Sequence, residues 1–184
     1  MKEIQEQRMK KYFIDACKAL ICGEGYKAVS VRTIAEQAGY SSATLYNYFS
    51  DTKNLVRLCV DEFIEEMKEF VFSVPTDLKG KDAVRHYAKR FIMYFVQYPD
   101  IFHVIYTEDI YEIRRTDNFR SKTLALFDEI FSRSEMESRK EAAQLELSLT
   151  ALLLFYLNRF SPRSYQDFMA EFDETLGFIL ANCR

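Results

Sequence analysis

Glycine and proline are scarce in this 184-residue chain, with five and three residues. A β-sandwich or barrel needs turn residues every few positions, so that scarcity argues against one. No run of 18 apolar residues occurs, and the densest stretch, Leu149 to Leu157, is broken by Thr150. The opening Met1-Lys2-Glu3-Ile4-Gln5-Glu6 has no apolar signal core behind it. The four cysteines, Cys17, Cys22, Cys59 and Cys183, show neither CxxC nor zinc spacing. They suit reduced core thiols of a cytosolic protein. With only His86 and His103, no histidine-rich metal site is expected. GxSxG, P-loop, dinucleotide and HExxH motifs are all missing, so no catalytic residue or cofactor is assigned. What is present is apolar bulk: 48% hydrophobic residues are too many for a disordered chain. The expectation is a cytoplasmic, mostly helical protein of one domain or two small ones, without a membrane partner.

Charge is distributed unevenly. Residues 1–57 carry nine Lys/Arg against six Asp/Glu, a balance of +3, which leaves −6 for the remainder. Such asymmetry suits a nucleic-acid surface at one end, although a solvated basic face accounts for it equally. Apolar positions Met9, Phe13, Ala16, Cys17 and Leu20 form a helical stripe that stops at Gly23-Glu24-Gly25. Ser30 is a natural N-cap for a helix Val31 to Ala38, with Val31, Ile34 and Ala35 inward, and Gly39 closes it. Ser41 caps a third helix, Ser42 to Phe49, with Leu45, Tyr46 and Phe49 as its apolar side. Asp51 caps a long fourth helix toward Phe72, ended by Pro75. Further helical periodicity runs from Asp82, from Asn118 to Arg133, from about Arg139, and after the start signal Ser161-Pro162.

Residues 30–53, SVRTIAEQAGYSSATLYNYFSDTK, carry the chemistry. Two short helices joined at Gly39 follow the helix-turn-helix plan. The first braces the second through Ile34, Ala35 and Leu45, so the second can project short polar residues into a major groove. Ser42, Ala43, Thr44, Asn47 and Tyr48 are the outward candidates. An ordinary helical hairpin with a polar face has the same pattern. The string Ile34-Ala35, Ala38-Gly39, Ser41 and Leu45-Tyr46-Asn47-Tyr48-Phe49 at this spacing resembles the N-terminal domain of the tetracycline-repressor (TetR) family.

That resemblance implies an all-α fold of about nine helices. Residues 1–50 would form a three-helix DNA-binding domain, and residues 51–184 a helical effector-binding and dimerisation domain. It implies a phosphate contact at Ser30, a groove-directed Arg32, and a recognition helix opening on Ser41, Ser42, Ala43 and Thr44. Tyr46 and Tyr48 match the family's tyrosines, whose hydroxyls donate to phosphate. The family's phosphate-binding lysine usually falls one position earlier than Lys53, where this chain has Thr52. Base reading would fall to Arg32, Ser42, Thr44 and Asn47.

By the same resemblance the chain is a ligand-responsive regulator, most simply a repressor. As a homodimer it would bind inverted-repeat double-stranded DNA and be released by a small apolar or aromatic effector. The last two helices would pair with their mates through Leu149, Leu153, Tyr156, Phe168, Phe172, Leu176 and Ile179. Burial within one subunit is the competing account of those residues. Phe63, Tyr87, Phe91, Tyr94, Phe102, His103, Tyr106 and Phe127 would line the effector pocket, although an aromatic stripe at helical spacing also suits plain core. An effector-independent DNA- or partner-binding factor of the same fold, or a helical enzyme, are the other readings.

Overall fold

The computed structural model describes residues 2–107, 118–136, 138–158 and 164–181. All secondary structure among them is helical: nine α-helices and one 3₁₀ turn. The Ser161-Pro162 start signal and Cys183 lie outside the described residues. The helices form two compact units.

The first unit gathers described residues of 1–65 and 98–116. It holds α1 (Lys2–Glu24), the 3₁₀ turn Tyr26–Ala28, α2 (Val31–Ala38), α3 (Ser42–Tyr46), the beginning of α4 (Thr52–Phe72), and α6 (Pro99–Tyr106). The stripe foreseen on α1 is buried at Phe13, Ala16, Cys17 and Leu20, with Met9 half-buried and Ile21 added. Gly25 ends that segment at φ 80°, a conformation that costs glycine nothing. α2 begins in a reciprocal cap. The Thr33 amide donates to Ser30 Oγ at 3.1 Å and the Ser30 amide donates to Thr33 Oγ1 at 2.9 Å. It ends on Gly39, left-handed at φ 76°.

α3 is shorter than its apolar pattern suggests, stopping at Tyr46 instead of Phe49. The Asn47 and Tyr48 amides turn back to Thr44 and Leu45 carbonyls three residues away, which tightens the last turn. Tyr46 does not join the apolar side as expected: it is 56% exposed, whereas Leu45 and Phe49 are buried. Asp51 caps α4 as foreseen, its Oδ1 accepting the Asn54 amide at 2.7 Å. Pro99 breaks the helical run only at Tyr98, then occupies the first turn of α6, where a missing N–H is harmless.

The second unit gathers described residues of 66–97 and 117–184. It holds the end of α4, α5 (Gly80–Gln97), α7 (Asn118–Arg133), α8 (Arg139–Leu157) and α9 (Tyr165–Ala181). α5 packs on α7 and α8, and α8 packs on α9. A helix C-terminus leaves carbonyls unpaired. Arg90 of α5 supplies donors to those of α4, its Nε lying 3.0 Å from both Phe70 O and Val71 O, with its guanidinium over the Phe70 ring.

Candidate nucleic-acid interface

The DNA-facing candidates all fall in the first unit, on α2, α3 and the start of α4. The face is built from its floor upward. Leu45 is 0% exposed and is the buried residue of the five-residue α3. Ile34 and Ala35 of α2 are equally buried, and α2 packs on both α1 and α3. Phe13 of α1 lies 6.3 Å from Phe49, edge to face, 6.0 Å from Tyr48 and 5.6 Å from Tyr40. Such aromatic pairs hold relative orientation as well as burying area.

Above that floor, the polar side chains point outward. Ser41, Ala43, Tyr46 and Asn47 are exposed, while Ser42, Thr44 and Tyr48 are half-buried. Ser41 is not idle: its Oγ accepts the Thr44 amide at 3.1 Å and lies 2.9 Å from Thr44 Oγ1. Ser30 is likewise engaged as the α2 cap and remains exposed. Arg32 projects from the first turn of α2, its side chain 84% exposed, and its Nε donates to Glu36 Oε1 at 2.8 Å. Lys53 sits exposed in the first turn of α4.

Glu36 and Thr33 were not among the sequence candidates. The i,i+4 spacing of Arg32 and Glu36 and the Ser-x-x-Thr spacing of the cap were available signals.

α1 is tied to α4 by charge. Glu62 Oε2 accepts from Lys11 Nζ at 2.8 Å and from Lys18 Nζ at 3.1 Å, and Lys18 also lies over the Phe63 ring. Burial alone would raise the Glu62 carboxyl, but the two lysine hydrogen bonds outweigh it and hold it below the ordinary value. Between the same helices, the Cys59 thiol donates to Ile14 O at 3.6 Å. Contact with the Cys17 thiol, together with burial, pushes the Cys59 thiol far up, as befits an inert core thiol. Among the described residues there is no cluster of three or more His, Cys, Asp or Glu that could hold a metal ion.

The eight effector candidates divide between the units. Phe63, Phe102, His103 and Tyr106 lie in the first, and Tyr87, Phe91, Tyr94 and Phe127 in the second. Within each unit they pack on one another or on nearby rings. Phe102 is 4.9 Å from Tyr106, and Phe91 is 5.0 Å from Phe127 and 5.1 Å from Phe95. His103 Nδ1 sits 3.2 Å from Thr107 Oγ1. A cleft of about 310 Å³ in the second unit is lined by Asp128, Phe131, Ser132, Met136, Ser138 and Arg139, and by none of those eight.

Of the seven pairing candidates, Leu149, Leu153, Phe168, Phe172, Leu176 and Ile179 are buried within the chain itself. Tyr156 is half-buried and stacks on Phe168 at 4.2 Å. The Tyr156–Phe168 stack joins α8 to α9 within the chain. The large apolar side chains turned outward on the same helices are Leu147, 64% exposed, Phe155, 57%, Phe178, 70%, and, at the start of α9, Tyr165, 46%.

The capped helix pair lies within the segment that comparison with known proteins matches. Residues 13–59 match the family described as bacterial regulatory proteins, tetR family. Over that segment the chain is similar to the N-terminal domain of that family. It is 36% identical over 82 residues to the fatty acid metabolism regulator protein of Bacillus subtilis (strain 168), across 44% of this chain and 41% of that protein's length. The fold is shared with two solved structures. The fatty acid degradation regulator FadR from Bacillus halodurans is 16% identical, covers 95% of this chain and 97% of its own, and has a TM-score of 0.69. FadR from Bacillus subtilis in complex with stearoyl-CoA is 19% identical, covers 95% and 99%, and has a TM-score of 0.59. The chain thus has a segment similar to the family's helix-turn-helix domain and, among the described residues, an all-α fold, and the proteins it resembles are named as regulators of transcription or metabolism. Among the described residues, no helix is long and apolar enough to cross a membrane.

Proposed function

We propose that this chain is a tetR-family regulator that represses transcription by binding an inverted-repeat operator as a homodimer, and that a small apolar effector releases it. The observation that carries the reading is the α2–α3 pair: a fully buried Leu45 beneath, capped helix starts, and short hydrogen-bonding side chains outside. Residues 1–50 do the reading and residues 51–184 the effector binding and pairing. Ser30, Tyr46, Tyr48 and Lys53 contact phosphate and fix register; Arg32, Ser42, Thr44 and Asn47 read base edges, with Ser41 and Ala43 shaping the approach.

Residues 30–50 contain one cation and one anion, so affinity per subunit is modest and pairing is needed. The outward Leu147, Phe155 and Phe178 form the pairing face, since the inward residues of α8 and α9 are already spent. Two copies would address half-sites about 34–36 Å apart, or a multiple of that. The stearoyl-CoA bound by one structural neighbour and the name of the curated relative point to a long-chain acyl thioester as the effector class. It would act by favouring a state with the wrong half-site separation.

Selection of duplexes from a random pool with the purified chain tests this directly. The expected product is a palindrome whose binding weakens steeply with salt and on addition of an acyl thioester. Sequence-blind or salt-independent binding refutes it.

A further inference from the structure

Arg32 and Glu36 are the only charged residues between Ser30 and Ser50, and they are bonded to each other. Helix electrostatics does not account for that arrangement. A cation in the first turn faces the positive end of the helix, and an anion near the last turn faces the negative end. The better i,i+4 order also places the acid before the base, the reverse of what stands here. Both side chains are largely exposed, 84% for Arg32 and 61% for Glu36, so the pair adds little to stability.

The geometry points to a different purpose. Glu36 engages Nε of Arg32, which leaves the two terminal nitrogens of the guanidinium without an assigned acceptor on α2. A guanidinium fork reads guanine O6 and N7 with two donors. Bonding at Nε restricts the rotation of a long side chain without consuming that fork, so part of its ordering cost is met before DNA arrives. The carboxylate also cancels the one positive charge of residues 30–50, which weakens attraction to any phosphate backbone regardless of sequence.

We propose that Glu36 is a positioning residue that sets base specificity through Arg32, raising preference for the correct site while lowering binding to unrelated DNA. The inference rests on α2 and α3 facing DNA as proposed above. Its test uses the duplex recovered from the random pool, variants of it with each guanine exchanged in turn, and an unrelated duplex. The parent is compared with Arg32→Ala, Glu36→Ala, Glu36→Gln and the double alanine variant, each checked for parental helicity by circular dichroism.

Arg32→Ala is expected to abolish discrimination at one base pair per half-site. Glu36→Ala lowers discrimination at that same base pair about threefold to tenfold, the cost of ordering a free arginine on binding. It also raises affinity for the unrelated duplex and steepens the salt dependence. Glu36→Gln retains the discrimination, because its amide oxygen still accepts from Nε, yet shows the same gain on unrelated DNA. In the Arg32→Ala background, Glu36→Ala changes nothing at that base pair. Parental discrimination in Glu36→Ala, a loss at a different base pair, or a loss that persists without Arg32 overturns the positioning role while leaving Arg32 as reader. If Arg32→Ala itself discriminates like the parent, the reading of the DNA face fails and the positioning role with it.

Discussion

Leu45→Ala is the most demanding perturbation of the proposed reading face. α3 is five residues long, far too short to persist as an isolated helix. It is held by its caps and by one side chain, Leu45, which is 0% exposed. Truncation removes three carbons from a fully packed site. At about 0.8 kcal/mol per buried methylene the transfer loss is roughly 2.4 kcal/mol. The cavity left behind brings the total to about 3–4 kcal/mol, inside the usual range for such changes. Leu45→Met, which conserves volume, should cost less than about 1.5 kcal/mol. Denaturant unfolding followed by far-ultraviolet circular dichroism reads this as a fall in midpoint with an unchanged slope. DNA binding should fall in Leu45→Ala even at temperatures where the chain remains folded, because the seat of the reading residues is lost. A stability loss under about 1 kcal/mol, or unaltered binding by a folded variant, would refute the view that α3 is seated by this contact.

Four further outcomes are expected. Ser41→Ala removes the α3 cap and should cost about 1 kcal/mol in the same unfolding assay, with a larger loss in DNA binding than in stability. Tyr48→Phe, whose ring packs 6.0 Å from Phe13, should keep stability within about 0.5 kcal/mol while weakening binding to all duplexes alike in a titration. Glu62 and Glu129 both sit below the ordinary carboxylate value of 4.5; burial works against this, and hydrogen bonds from Lys11 and Lys18, and from Lys68 and Arg133, outweigh it. Their contribution is therefore full above that value and lost as pH falls through the lowered ones, so an unfolding-midpoint profile should drop on the acid side of 4.5, and Glu62→Gln should drop less steeply. Phe178→Asp, at a position 70% exposed, should leave folding intact but weaken self-association more than about tenfold by sedimentation; an undiminished dimer would move the pairing face elsewhere.

Local signals account for the accuracy of the helix boundaries. Ser30, Gly39 and Asp51 act within three or four residues of themselves, through caps and a left-handed turn that need no tertiary partner. The family string in residues 30–49 is likewise local, and it carried the DNA-binding reading. The end of α3 was less legible, because apolar Phe49 continues the stripe beyond the last helical residue. The aromatic candidates for a pocket and the core aromatics share one spacing, so the sequence could not separate them.

The amino-acid order alone determined where most helices begin and end, and which short segment resembles a DNA reader, since both depend on neighbours a turn apart. Only the tertiary structure decided which apolar stripe each helix spends internally. α8 is apolar on several sides, and its periodicity places Leu149 and Leu153 together without saying that they are buried while Leu147 and Phe155 stay outside. Tyr46 turned out to solvent, Glu62 bridging two lysines of α1, and Arg90 completing the carbonyls of α4 were decided in the same way. A repeat of 3.6 residues specifies a face relative to its own axis, and only packing selects what lies against it.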